Sequence, residues 1–445
     1  MSNLLAARSL MAMSLGFHII FAIIGMAMPL MMVIAEWRWL KTGDEVYLTI
    51  AKRWAKGTAI FFAVGAVTGT VLSFQLGLLW PKFMEFAGPI IGLAFSIEGF
   101  AFFTEAIFLG IYLYGWRKVS PHAHLAAGGV VALSGITSGV VVVLANGWMN
   151  TPRGFTMING LPANIDPIAA LLNPSGGLQA LHMITAAFAA TGFAVAGIHA
   201  FLLLRHPGNA FHQGALKIAL AVGCVSALFQ PLNGDFLAKQ VAEYQPLKLA
   251  AFEGQVHTQK GAPFRLGGIW NSEKEAFDYI VEIPYALSLM LHMDPHGEVI
   301  GIKEFAKEIW PPIGVVRTAF QIMVGIGFFM MGMAVWAAWL AFKTRTLFQS
   351  KLFLKALVLS IPLGFIATEV GWVATEVGRQ PWVVVGYLKT AQAVTPMPGI
   401  SVSLIFFAGL YAFLAAIVIW LMWRHVTATP TQFEMQMKGS AHDRI

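Results

Sequence analysis

Cysteine is almost missing from this chain and charge is scarce. The one cysteine, Cys224, leaves no intrachain disulfide and no thiolate metal cluster to consider. Charged residues fill 11% of the 445 positions, where a soluble domain carries about a quarter. The period-two alternation of a membrane barrel is lacking, and so are a convincing internal repeat and a Gly-rich phosphate loop in a strand–helix setting. What remains is apolar: 57% of residues are hydrophobic and the mean hydropathy is +0.69. Backbone polar groups in lipid must be satisfied within their own element, so this composition points to membrane-spanning helices.

Runs able to cross about 30 Å of hydrocarbon recur near 11–35, 58–80, 88–115, 124–146, 178–204, 215–236, 314–342, 354–376 and 400–423. The expected fold is therefore an all-α integral membrane bundle of nine transmembrane helices, a single domain over 1–445. The first run is too long for a cleaved signal peptide and no small-residue cleavage site follows it. Basic residues favour alternate loops. Arg38, Lys41, Lys52, Arg53 and Lys56 follow the first span, whereas the short segments of the other side hold Arg8, Lys82, Arg153, Arg379 and Lys389. The positive-inside tendency then places the N-terminus outside and the C-terminus in the cytoplasm. The same asymmetry accounts for the net charge of +7, without a nucleic-acid partner. One segment stands apart: 237–312 reads as a long outer loop with ten of the 22 acidic residues, and loops of that length usually carry function.

Ionisable groups inside the spans are costly and normally functional. Glu98 and Glu105 lie seven residues apart on one helix face, about 10 Å along the axis, where carboxyls could hold and pass protons. A neutral, hydrogen-bonded pair fits that spacing equally well. His18 and His182 lie on different spans at similar depth. Imidazole is a common axial haem ligand, although either could be a satisfied core histidine. His199, near the inner end of its span, reads as interfacial. Glu369, Trp372 and Glu376 share a face of the eighth span, and the following Gly-Arg-Gln-Pro-Trp closes it, since Pro381 disfavours helix at the preceding residue. An anchor of Trp and Arg at the interface explains Arg379 and Trp382 but not the two acids.

Taken in order, "FHIIFA" around His18, "FSIEGFAFFTEAIFLG" (95–110), "LANGWMNTP" (144–152), "LHMITA" around His182, "QPLKLAAFEG" (245–254), "IPYAL" (283–287), "FQIMVGIGF" (320–328) and "GWVATEVGRQPW" (371–382) resemble subunit I of the cytochrome bd-type quinol oxidases. The resemblance covers nearly the whole chain. It implies oxidation of a membrane quinol and reduction of dioxygen to water in a bacterial cytoplasmic (inner) membrane, building a proton gradient without a pump. It implies a low-spin haem b held by His182 and Met323. It also implies a high-spin haem b and a haem d, or a b-type haem in its place, held by His18 and Glu376. By the same resemblance Trp372 would pack between porphyrins, Glu98 and Glu105 would deliver protons, and Arg8, Asn146 and Arg379 would tune haem charge or propionates. Lys248 and Glu253 would bind quinol in the long loop, the Q-loop, which is of the short type that includes cyanide-insensitive members. Expected partners are subunit II of the oxidase and a small single-helix accessory subunit. Gln321 stands where many relatives carry Arg, which removes a positive charge near the low-spin haem unless Arg317 compensates.

Two other readings compete. A proton-coupled transporter predicts inverted repeats and broken helices, and leaves the histidines idle. A quinone-linked b-type cytochrome without oxygen reduction explains His182 and Met323 but not His18 with Glu376.

Overall fold

The computed structural model describes residues 2–427. Among them, nine helical spans are long and apolar enough to cross a membrane. In chain order the helices are α1 (Asn3–Thr42), α2 (Glu45–Leu79), α3 (Pro81–Tyr114), α4 (Pro121–Asn150), α5 (Pro167–Leu171), α6 (Gly176–Arg205), α7 (Ala210–Tyr244), α8 (Pro246–Glu253), α9 (Ala286–His292), α10 (Ile313–Ala338), α11 (Lys351–Ser360), α12 (Leu363–Val377), α13 (Thr390–Ala393) and α14 (Ile400–Thr427). Short hairpins lie between them: β1 (Thr156–Ile158) with β2 (Leu161–Ala163), β4 (Phe264–Asn271) with β5 (Ala276–Ile283), and β7 (Trp382–Val384) with β8 (Leu388–Lys389). β3 (Gln259–Lys260) pairs with β6 (Glu298–Val299).

The helices start where capping chemistry allows. Ser2, Asp44, Ser120 and Asn209 each accept an N–H of the first turn, and Pro81, Pro121 and Pro246 open their helices, where no amide donor is needed. Most spans outrun the apolar segments expected for them. α1 has 40 residues, about 60 Å at 1.5 Å per residue, so its ends stand beyond a bilayer core. α7 continues to Tyr244, past the expected loop boundary at 237, and carries Asp235 in an i,i+4 pair with Lys239 at 2.6 Å.

Successive helices pack as antiparallel pairs, α1 with α2, α3 with α4 and α6 with α7. α6 is the centre: 72% of its most apolar stretch is buried, against 11% for α2 and for α14 at the rim. Missing side chains make this possible. A Cβ on Gly192 would come within 2.6 Å of Gly223 on α7, and one on Gly364 of α12 within 2.4 Å of Ala190 on α6. Close backbone approach between small residues is the usual way for membrane helices to pack.

The eighth span is kinked. α11 stops at Ser360 and α12 begins at Leu363, with Ile361 and Pro362 between them. Pro362 lacks an amide donor, and neighbouring helices satisfy the freed groups. Ile361 and Pro362 both keep right-handed helical dihedrals, so Lys351–Val377 is one kinked span and not two half-helices. α12 ends at Val377, one residue past the expected span end at 376 and short of Pro381. His199, near the end of α6, is buried with its Nδ1 3.0 Å from that of His212 on α7.

Candidate functional site

One end of the bundle gathers the loops, and we call it the loop end. There α8 lies against the end of α12: a Cβ on Gly378 would touch Lys248 Cγ at 3.1 Å and the Phe252 ring at 3.4 Å. Gly254 closes α8 in the left-handed region at φ 65°, a conformation glycine takes without steric cost. The β4–β5 hairpin is tied down by Arg317 of α10, which donates to the backbone carbonyls of Phe252 at 2.6 Å and of Arg265. β7 and β8 attach to α4 through the Val385 amide, 3.0 Å from the Met149 carbonyl.

This arrangement holds a continuous polar chain, with Lys248, Asn150 and Arg379 buried and Asn146 and Glu376 partly buried. Lys248 Nζ donates to Asn150 Oδ1, Asn150 Nδ2 donates to the Asn146 carbonyl at 3.0 Å, and Asn146 Nδ2 donates to Glu376 Oε1 at 2.6 Å. Arg379 Nη2 donates to the other oxygen, Glu376 Oε2. Residues from α4, α8 and α12 are joined in one network, and both oxygens of the α12 carboxylate are engaged. Arg379 is 7% exposed, yet its Nε and Nη1 have no hydrogen-bond partner. Two buried guanidinium donors without acceptors suit an additional anionic oxygen pair, such as a propionate.

Lys248 and Glu253 are not a solvated pair. They are 4% and 2% exposed and do not bond each other. Burial pulls the Lys248 ammonium down to about 7, with Arg379 pushing the same way and Glu376 opposing. Burial pushes the Glu253 carboxyl up to about 7 against the pull of Arg317 and Arg265. Its Oε2 lies 3.7 Å from Arg317 Nη1, beyond hydrogen-bond reach, and is otherwise unpartnered. Phe252 and Phe320 stack beside it with centroids 4.8 Å apart.

The remaining candidates occupy separate helix interfaces. His18 Nδ1 is 2.9 Å from Thr68 Oγ1 on α2. That hydroxyl sits 2.9 Å from the Val64 carbonyl and donates to it, so it accepts from His18 Nδ1–H and leaves Nε2 with the lone pair a metal would need. His182 lies against Gly234 of α7. Its Nε2 is 3.0 Å from Gln230 Nε2 and its Nδ1 is buried without a partner. Met323 Sδ would stand 2.7 Å from a Cβ on Gly371, so α12 leaves room for that thioether only by lacking a side chain. Glu369 Oε1 is an orphan, and its Oε2 faces Gly16 of α1. Glu105 is buried beside Gly135 of α4, while Glu98 and Trp372 are half-buried. Arg8 is exposed and makes no hydrogen bond or ion pair among the described residues, so it is not brought into the polar chain. Gln321 donates to the Gly267 carbonyl at 2.8 Å, and Arg317 one turn earlier is committed to loop carbonyls.

Among the described residues no three His, Cys, Asp or Glu side chains converge as a bare-ion site. His18, His182, Met323 and Glu376 instead present single donors from separate interfaces. With the orphaned His182, Glu369 and Arg379 atoms, this donor set fits macrocycle-borne iron. The sequence reading missed Asn150, Thr68 and Gln230. Asn150 stood inside the quoted "LANGWMNTP" stretch, whereas a Thr or Gln in an apolar span gives no signal until its partner is seen.

Comparison with known proteins identifies the family. The family model for cytochrome bd terminal oxidase subunit I matches residues 6–430. A putative cytochrome bd menaquinol oxidase subunit I of Bacillus subtilis (strain 168) is 36% identical, with 99% of this chain and 100% of that protein covered. A cytochrome bd ubiquinol oxidase subunit 1 of the same organism is 33% identical, covering 100% and 95%. The solved structure of bd oxidase from Geobacillus thermodenitrificans superposes with a TM-score of 0.91 at 38% identity, over 96% of this chain and 99% of that one.

Proposed function

Since the chain belongs to the cytochrome bd terminal oxidase subunit I family, we propose that its loop end is where membrane quinol is oxidised and where haem is held. The protein is a multi-pass subunit of a quinol oxidase of the bacterial cytoplasmic membrane, carries haem, and pairs with subunit II. The transporter and the oxygen-inert cytochrome are not favoured.

The observation that carries the finer reading is the hydrogen-bonded chain Lys248–Asn150–Asn146–Glu376–Arg379. It runs from the residues that would hold a quinol head group to a carboxylate that would hold iron. Lys248 donates a hydrogen bond to one quinol oxygen. Glu253, buried and poised near neutrality, takes a proton from the other. The stacked Phe252 and Phe320 rings offer an apolar wall to the head group. His182 and Met323 are assigned to a low-spin haem b, and His18 and Glu376 to a high-spin haem b and a haem d. Arg379 receives propionate charge on its two free donors, and Trp372 packs one turn from Glu376. When bound, these haems carry electrons from quinol to dioxygen. Glu98 and Glu105 supply protons to that reduction, with Asn146 holding Glu376 in place. The Q-loop functions as a unit within one membrane domain, facing outward with the N-terminus, while the C-terminus lies in the cytoplasm; a single-helix accessory subunit completes the assembly.

Reduced-minus-oxidised spectra of the purified complex test this assignment. The expected result is b-type bands plus a red-shifted chlorin band, with the low-spin b band lost in His182→Ala. Retention of that band in His182→Ala refutes the ligand assignment.

A further inference from the structure

At the end opposite the loops, three side chains with no part in the chemistry above are buried together. Glu36 near the end of α1 and Tyr112 near the end of α3 are 0% exposed, and His124, one turn into α4, is 2% exposed. Their bonding settles where protons must be. His124 Nε2 is 2.9 Å from the Tyr112 carbonyl oxygen. A carbonyl only accepts, so Nε2 carries a hydrogen. His124 Nδ1 is 2.8 Å from Glu36 Oε1. Two lone pairs do not face each other at that distance, so one more proton lies between these atoms, whichever of them owns it.

The pair therefore holds a transferable proton, and unused groups stand beside it. Glu36 Oε2 and the Tyr112 hydroxyl are buried and have no other hydrogen-bond partner, and the phenol lies close enough to Glu36 to interact with its carboxylate. The second carboxylate oxygen thus faces a group that can take up and give back a proton.

Tyr112 also continues a line. Glu98, Glu105 and Tyr112 follow one another at intervals of seven on α3, so they share a face in steps of about 10 Å. Two α4 glycines with the same spacing mark that face. A Cβ on Gly128 would meet the Tyr112 ring at 2.6 Å, and one on Gly135 would lie 3.5 Å from both Glu105 carboxylate oxygens. On the aqueous side Trp116 stacks on His124 with centroids 3.9 Å apart, and Lys52 Nζ of α2 lies 4.9 Å from the Trp116 ring centroid. One aromatic layer thus separates the cluster from a basic surface.

We propose that Glu36, His124 and Tyr112 form the proton-entry relay that feeds Glu105 and Glu98 from the basic end of the bundle. The proposal rests on the oxidase reading above. A proton arriving at the pair from water releases one from Glu36 toward Tyr112 and Glu105; the pair returns to one shared proton and no electrons move. Water or a rotation of the phenol spans the gaps.

The test uses the complete oxidase complex with Glu36→Gln and, as the milder change, Tyr112→Phe. Three quantities are read: quinol-driven oxygen uptake, anaerobic haem reduction by quinol, and the ratio of turnover in H2O and D2O. Expected for Glu36→Gln is about a ten-fold loss of turnover, with a smaller loss for Tyr112→Phe. Haem bands and anaerobic reduction should stay at wild-type level while the solvent isotope effect grows. Wild-type turnover and isotope effect in both variants would overturn the relay, as would losses that track missing haem in Tyr112→Phe. Failure of the oxidase reading itself looks different: the unmutated complex would show no quinol-driven oxygen uptake.

Discussion

Two carboxylates at opposite ends of the bundle, Glu376 partly buried and Glu36 fully so, are held in different ways. At the loop end Glu376 has both oxygens bonded, one to Asn146 and one to Arg379, and the network runs on to Lys248. At the basic end Glu36 has one oxygen bonded to His124 and the other facing only the Tyr112 hydroxyl. A fully bonded carboxylate is fixed in position and suits a ligand, which must not move. A half-bonded one keeps a vacant acceptor, which a group that passes protons needs. The unused donors at the loop end belong to Arg379, a cation awaiting an anion, and not to the acid.

The largest effect should come from breaking the fixed end. Glu376→Ala leaves Arg379 buried with all its side-chain donors unmatched and removes a ligand. We expect loss of one set of haem bands and at least about a hundred-fold fall in turnover, by analogy with the cost of losing groups that orient a metal. His182→Ala should abolish quinol oxidation with its own set of bands. Wild-type spectra in Glu376→Ala would erase the distinction between the two ends.

Glu253→Gln comes next. Its carboxyl ionises only near 7 because burial raises it, so below about 7 it keeps its proton and cannot accept one from quinol. Quinol oxidation by the wild type should therefore rise with pH through about 7. The Gln variant should lose about a hundred-fold in turnover and lose that pH limb, with haem bands intact. Persistence of the limb would assign it to another group, Lys248 being the nearest alternative. Asn150→Ala is milder. It removes the acceptor for Lys248 and a donor to Asn146, both buried hydrogen bonds. About a ten-fold rise in the quinol KM is expected, read from initial rates against quinol concentration.

Hydropathy made the bundle legible, because each span declares itself within its own residues. Burial among the nine spans of the described residues could not be read that way: α2 and α6 have nearly the same hydropathy, 1.8 and 1.9, yet 11% of one apolar stretch is buried and 72% of the other. Pro362 was visible in the sequence, but a proline can sit inside a helix, as Pro29, Pro89 and Pro231 do here. Only packing shows which one kinks the span. The candidate ligands were found through an ordered series of short stretches, whereas the connections between them were not. Asn146 and Glu376 are 230 residues apart and Glu36 and His124 are 88 apart, separations at which periodicity says nothing.

The smallest expected effect separates burial from loop membership. Lys274 and Asp278 are a charged pair in the same long loop as Glu253, with Nζ 3.0 Å from Oδ1; Lys274 is open to water and Asp278 partly so. Asp278 stays in its ionised form because Asn271 and Lys274 hydrogen-bond the carboxylate. It therefore has no proton to exchange near neutrality, and water screens its charge from the buried network. Lys274→Ala should leave turnover, haem bands and the pH limb near 7 at wild-type level. A shift of that limb in Lys274→Ala would mean that the loop responds to charge as a whole. The desolvated position of Glu253 would then no longer explain its reactivity.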